Sequence, residues 1–277
     1  MILTPIYVET ALLGMGLPSI SDQQIRDGWK TRLIDADIYL VWMETGKVML
    51  GDLSCFLSVK NRPEMQRIDG NKLKSAQENQ ISGFLTASAV MRISNECGAI
   101  TVTAGMGGIR GAYKSDDLHC LINLPVVLIA SAPKDVLGLS ASLQYLIQSG
   151  TRVAGWQTSQ CDGFLFEHPP VEVPILNRLT DADVNKQNSG SLILNPIPAR
   201  DRLQDENMLQ EALKEGVAAE ERGESFHPAV NAALDRLSNG VSSMIQLRAL
   251  VQNINLALKI REKMTLTKDD EVNDSAR

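Results

Sequence analysis

The chain has 277 residues, 44% of them hydrophobic and 22% charged, with a formal net charge of -6 at pH 7. That length supports one large core or two smaller ones, and the acidic balance excludes a protein devoted to nucleic acid, which needs a basic face. Cys55, Cys97, Cys120 and Cys161 show no paired or metal-ligand spacing. No basic-then-apolar leader opens the chain, and no apolar run nears the roughly 18 residues of a membrane helix, so a soluble protein of the reduced cytoplasm is expected.

Near the start, YVETALLGMGLP sets Glu9 among apolar residues. A carboxylate so placed is raised in pKa and can donate a proton, the alternative being a strand-edge glutamate that faces water. DIYLVWMETGKVMLGDL predicts two strands joined at Thr45-Gly46. SGFLTASAVMRISNECG predicts a helix capped by Ser82 and stopped by Gly98. AITVTAG is a short buried strand that runs into TAGMGGIRGAYKSDD. Gly105, Gly107, Gly108 and Gly111 there let backbone amides approach an anion, with Arg110 as a second contact, or they simply build a tight turn. In DDLHC, Asp116 and Asp117 are placed to hold a metal, to orient a lysine, or to cap a helix.

PVVLIASAPKD ends a second buried strand and presents Lys134 just past it. Ligands of open α/β sheets bind beyond the carboxyl ends of strands. Lys134 is there a counter-ion, an exposed turn residue, or a nucleophile whose amine burial has freed of its proton. A helix stripe of Val136, Leu139, Leu143, Leu146 and Ile147 follows, ended by Gly150. TRVAGW and SGSLILNPIP are further strands, and the chain from Asp205 is helical, with a last stripe of Leu247, Leu250, Val251, Ile254 and Leu258. His119, His168 and His227 form no ligand cluster and read as structural, with the His-Pro of SFHPAV at a helix start. Alternating strands and helices favour an α/β fold with a largely parallel central sheet. One α/β/α domain over residues 1–264 is expected, followed by a flexible polar tail over 265–277.

Taken in order, these segments resemble the pseudouridine-5'-phosphate glycosidase family, which includes indigoidine synthase A-like proteins. ETALLGMGLP is similar to the family's E-S-T-I-I-A-H-G-M-P and keeps its glutamate as Glu9. LTASAVM matches T-T-V-A-A-T-M at Thr86, TAGMGGIRG matches A-T-G-G-I-G-G-V-H-R-G, and SDDL, from Ser115, matches S-A-D-L with Asp117 at the aspartate. PVVLIASAPK resembles P-V-A-V-V-C-A-G-A-K and puts the lysine at Lys134, 17 residues after Asp117. GWQTSQCDGF and LILNPIP also have family counterparts.

The resemblance implies an imine mechanism. The lysine attacks C1 of ribose 5-phosphate, the ring opens, and the C–C bond to a ring aglycone breaks. Lys134 is then the nucleophile, Glu9 the acid/base for sugar oxygen and ring carbon, and Asp117 the residue that orients sugar or lysine. Arg67, Thr86, Gly105, Gly107, Gly108, Arg110, Ser115, Asp116 and Gln246 are the implied substrate contacts, with Arg67 at a phosphate-binding lysine and Gln246 at a late asparagine. A homotrimer and a manganese ion are implied as well. Tyr113 stands where the family has its metal-binding aspartate, which leaves Asp116 as the candidate ligand and predicts weak metal dependence. The loop histidine before Arg110 is absent. The same chemistry run backwards is a C-glycoside synthase with a non-uracil aglycone, and a non-catalytic sugar-phosphate binder is the third expectation.

Overall fold

Nine strands assemble in the order Ile175–Leu176, Arg152–Trp156, Ser191–Leu194, Val127–Ala130, Ile100–Val102, Ile6–Glu9, Ile38–Glu44, Gly83–Leu85 and Gln66–Ile68, and Lys47–Gly51 also pairs with Ile38–Glu44. The computed structural model describes residues 4–29, 37–177, 189–224 and 226–274, with side chains through residue 262. The first seven strands pair in parallel. Gly83–Leu85 turns antiparallel at the end of the run. The strands Ile6–Glu9, Ile100–Val102, Val127–Ala130 and Ser191–Leu194 are buried throughout, as strands covered on both faces must be.

Neighbouring residues of a strand point to opposite faces, and the core divides accordingly. Tyr7 and Val41 pack with Ala89 and Val90 of the helix Ala87–Cys97. Ile6, Val8 and Val102 pack with Leu250 and Ile254 of the long helix Val241–Asp274. The result is the expected α/β/α layering.

The hairpin forms where the sequence places it. Thr45 (φ 47°) and Gly46 (φ 77°) both take the left-handed conformation, the backbone of a two-residue turn matched to strand twist. The following helix starts later than expected. Gly83–Leu85 is a strand, paired Trp42 to Phe84, and Thr86 precedes the first helical residue. Sheet pairing takes the apolar triad away from the helix, and the Ser82 hydroxyl instead accepts a bond from the Thr45 amide at 2.9 Å. Gly98 (φ 70°) ends the helix as read. In the later stripe, Leu139, Leu143 and Leu146 are buried, but Val136 lies before the helix Leu139–Gln148 and Ile147 is exposed. The last helix continues through Asp274, where a flexible tail was expected from 265. No glycine or proline interrupts that stretch, so nothing local stops the helix. Residues 275–277 lie outside the described residues.

Three central strands end together, and this positions the site. Glu9 closes Ile6–Glu9, Thr103 follows Ile100–Val102, and Ser131 follows Val127–Ala130. Beyond the sheet, Gly105–Met106 and Ala132–Pro133 continue as a short parallel ladder. The Lys134 amide then bonds to the Met106 carbonyl at 3.0 Å. Asn253 of the long helix donates to the Thr103 carbonyl (2.8 Å) and the Ser131 hydroxyl (3.2 Å) and accepts from Asn195 (2.9 Å). One buried amide thus fastens three strand ends.

Candidate active site

Two lobes open above these strand ends. The larger, about 540 Å³, is polar, lined by Arg67, Asp69, Lys72, Ser115, Asp117 and Tyr113 among others. The smaller, about 400 Å³, presents Leu12, Met15, Ala87, Gly105 and Pro228, with Glu9 and Thr86 on its wall. Three residues line both lobes: Arg67, Lys134 and His227.

Lys134 therefore projects from a strand end into the junction, which removes the turn-residue reading. Among the described residues no hydrogen bond or ion pair holds its ammonium. Burial depresses its pKa and the Arg67 guanidinium adds to this, against the opposing pull of Glu9, Asp117 and Asp69. Both main influences favour the free amine that a nucleophile needs.

Glu9 is 6% exposed, so the water-facing alternative does not hold. Its Oε2 accepts from the Leu12 amide at 3.2 Å and its Oε1 from the Thr103 hydroxyl at 3.1 Å. Burial raises its pKa, with Lys134 the strongest opposing influence. Asp117 behaves similarly: burial raises it, while the Gly107 amide, donating at 2.6 Å, pulls the other way. The glycine loop thus serves the protein before any anion. Ile109 donates its amide to Ser142 at 2.9 Å, Gly105 lies against the Phe164 ring, and Gly108 faces Ser142 rather than either lobe. A side chain at Gly107 would collide with the Ser115 hydroxyl. Close approach explains these glycines.

Ser115 lines the polar lobe with a buried hydroxyl that has no partner among the described residues, at the start of the helix Asp116–Asn123. Arg67 reaches both lobes while bound to Asp69 at 3.0 Å. Thr86 lines the apolar lobe, its hydroxyl 3.0 Å from that of Ser88. Arg110 is elsewhere. Its guanidinium is bidentate to Glu220 and lies 3.8 Å over the Phe226 ring, at a third cavity near the mouth. Gln246 is buried in the last helix and faces none of the three cavities.

The donor set does not fit a divalent cation. Asp116 is bound by Arg92 at 3.0 and 3.3 Å, Asp69 by Arg67, and Asp117 by the Gly107 amide. Tyr113 is half exposed at the mouth, and no group of three acidic, histidine or cysteine residues converges among the described residues. Even a cation that keeps most of its waters needs at least one carboxylate free to turn toward it, and these are each already bound.

Sequence reasoning missed Asp69, Asn253 and above all His227. This histidine lines all three cavities with a buried Nδ1 that has no partner among the described residues. Burial, then Lys134, Arg67 and Arg110, press its pKa down to about 4. The His-Pro helix start was its only signal, and that signal is structural.

With this geometry in place, comparison with known proteins is decisive. A sequence profile described as "Indigoidine synthase A like protein" matches residues 48–263. The chain belongs to that family. A pseudouridine-5'-phosphate glycosidase of Saccharopolyspora erythraea is 30% identical to this family member over 276 residues, covering 91% of this chain and 87% of the relative. One of Caldanaerobacter subterraneus subsp. tengcongensis is 30% identical over 197 residues, 65% of this chain, and the chain spans 64% of that relative's length. The fold is shared with a prealnumycin C-glycosynthase in complex with ribulose 5-phosphate, at a TM-score of 0.75 and 19% identity, over 96% of this chain and 93% of that one.

Proposed function

We propose that this family member is a lyase of the pseudouridine-5'-phosphate glycosidase type, which cleaves the C–C bond between ribose 5-phosphate and a ring aglycone through an imine on Lys134. The observation that carries this reading is Lys134 itself: a desolvated lysine, without a partner among the described residues, at the junction of a polar and an apolar lobe. The sugar phosphate takes the polar lobe, against Arg67, Ser115 and Asp117, and the ring takes the apolar one.

In the first step the Lys134 amine bonds to C1 of the sugar. The C1–O4 bond breaks, its electron pair goes to O4, and O4 gains a proton. In the second step the Nζ lone pair forms a C=N bond as the C1–ring bond breaks. That pair takes a proton from Glu9, whose raised pKa and place in the apolar lobe suit it as the acid. Water then hydrolyses the imine and Glu9 regains its proton. Dividing the cleavage in two suits a C-glycoside, which has no easily protonated leaving atom. Asp117, fixed by the Gly107 amide, orients the sugar. No step passes through a metal.

The leucine, methionine and proline of the apolar lobe favour a second reading, synthesis of a C-glycoside with a less polar ring than uracil. The same groups would act in reverse. Four free thiols fit a reduced cytoplasm, and by family kinship the protein is proposed to act there as a homotrimer.

Borohydride trapping with ribose 5-phosphate tests the imine and separates either enzyme from a non-catalytic binder. Lys134→Ala is expected to abolish the trapped adduct while circular dichroism stays unchanged. A variant that traps sugar at the wild-type rate removes Lys134 from the mechanism.

A further inference from the structure

With an imine on Lys134, Glu9 gives up a proton and regains it in every turnover, so each of its oxygens needs a partner that suits both states. Its surroundings divide that task unequally. Oε2 accepts from the Leu12 amide at 3.2 Å. An amide can only donate, which favours a bare oxygen there whether Glu9 is charged or not. Oε1 accepts from the Thr103 hydroxyl at 3.1 Å. A hydroxyl hydrogen rotates to suit its neighbours, and this one has a second acceptor within reach, the Gly105 carbonyl at 3.4 Å.

We propose that Thr103 is a positioning residue whose hydroxyl turns with the charge on Glu9. It donates to Oε1 in the carboxylate and to Gly105 in the acid, which makes Oε1 the oxygen that carries the proton of catalysis. The role rests on the imine reading above. Thr103 is buried, and its main chain is fixed on both sides. Its amide donates to the Ile129 carbonyl at 3.0 Å, and its carbonyl accepts from Asn253 at 2.8 Å. A β-branched side chain is stiff at χ1, so what keeps its freedom is the hydroxyl hydrogen. The charged groups that act on Glu9 are Lys134, from beyond Val127–Ala130, and Arg67, from Gln66–Ile68. Glu224 and His227 line the same lobe. Among the described residues none of these four bonds to either Glu9 oxygen, which leaves Oε1 to Thr103. The protons balance. When the Oε1 proton passes to the sugar oxygen or the ring carbon, Oε1 becomes anionic and the Thr103 hydrogen turns onto it. When imine hydrolysis by water returns a proton to Oε1, that hydrogen turns back to Gly105. A fixed donor at Oε1 would oppose the return, and a fixed acceptor would oppose the departure.

Thr103→Val and Thr103→Ala lack the hydroxyl, and Thr103→Ser keeps it. Infrared difference titration reads Glu9 directly, since its acid carbonyl band is the one missing from Glu9→Gln. Thr103 ranks last among the influences that lower the Glu9 pKa, so its removal belongs at the low end for a hydrogen bond to a charged group. The band should persist about one pH unit higher in Thr103→Val and Thr103→Ala than in wild type. Its frequency should not change, because the hydroxyl does not bond the acid. Thr103→Ser should titrate as wild type does. At saturating ribose 5-phosphate, borohydride trapping by Thr103→Val should fall about tenfold, the same lost stabilisation of the carboxylate, with the half-saturating concentration unchanged. A titration that does not move, trapping that does not fall, or an acid band that shifts in frequency each overturns the proposal. Wild-type protein that traps no sugar refutes the imine reading, and the infrared titration, which needs no sugar, still decides whether the hydroxyl turns.

Discussion

Asp135, the neighbour of Lys134, should matter more for stability than any other carboxylate near the site. Its side chain is 2% exposed and accepts from four donors: the amides of Phe164 (3.3 Å), Leu165 (2.9 Å) and Phe166 (3.1 Å), and Nε2 of His168 (3.1 Å). In Asp135→Ala those amides lose their acceptor, each at about 1–3 kcal/mol if left unsatisfied. Such losses are not additive, and breaking a buried charged network costs about 3–5 kcal/mol. At roughly 2–4 °C per kcal/mol for a chain of this size, Tm should fall by about 10 °C. Asp135→Asn keeps an acceptor and should fall by about half as much. The segment also floors the site, since the Phe164 ring packs against Gly105. Imine trapping at a temperature where the variant is still folded should therefore slow as well. Differential scanning calorimetry of the two variants checks the argument. A Tm for Asp135→Ala within about 2 °C of wild type would mean that these bonds hold nothing.

Other consequences follow from neighbouring groups. Because the carboxylates beside the polar lobe are already bound by Arg92, Arg67 and the Gly107 amide, EDTA should leave cleavage unchanged; silencing by EDTA with full recovery in micromolar manganese would contradict this. Arg67→Ala should weaken ribose 5-phosphate by about one to two orders of magnitude in calorimetry, the worth of a charge-assisted contact, and leave ribose nearly unaffected. Arg110→Ala should change neither, because Glu220 holds that guanidinium away from both lobes; a phosphate-specific loss there would restore Arg110 to the site. His168 has its pKa raised above 6.5 by its bond to Asp135. Its contribution to stability is therefore full below the unfolded pKa and lost as pH rises through the folded one. Tm in wild type should fall as pH rises above the unfolded histidine value of about 6.5, and a His168→Gln protein with the same fall would assign it to other groups.

The layered fold was legible because buried parallel strands leave continuous apolar runs, as in PVVLIAS, and helices leave stripes. What periodicity cannot supply is the partner. Gly83–Leu85 is helix-like by sequence and becomes a strand because Trp42 and Met43 lie on one side of it and Gln66–Ile68 on the other. Lys134, Glu9 and Asp117 were found from strand-end position and family motifs, and the structure brings all three to the two lobes. Arg110 was misplaced because its fate depends on Glu220, 110 residues away. His227 was missed for a similar reason. A histidine at a helix start carries no local mark of the cavity that the fold closes around it, and Gln246 shows the converse, a motif position that the last helix buries away from every lobe.

One constraint ties the charged groups at the junction together. The chemistry needs a neutral amine on Lys134 and a proton on Glu9 at the same moment. In water the opposite assignment is strongly favoured, with a glutamate near 4.5 and a lysine near 10.5. Burial moves both in the required direction, raising the acid and lowering the amine. Arg67 then acts on one of them selectively. Its charge is the second cause of the lowered Lys134, whereas its pull on Glu9 ranks below those of Lys134 and the Leu12 amide. A guanidinium suits this task because it stays charged in every state, and Asp69 pins it in place. The two titrating groups remain coupled through their mutual attraction, so their protons come off as a pair. Arg67→Gln should therefore shift the pH profile of imine trapping toward higher pH, separately from its effect on phosphate affinity. An unmoved profile, measured with saturating sugar, would show that burial alone sets the amine.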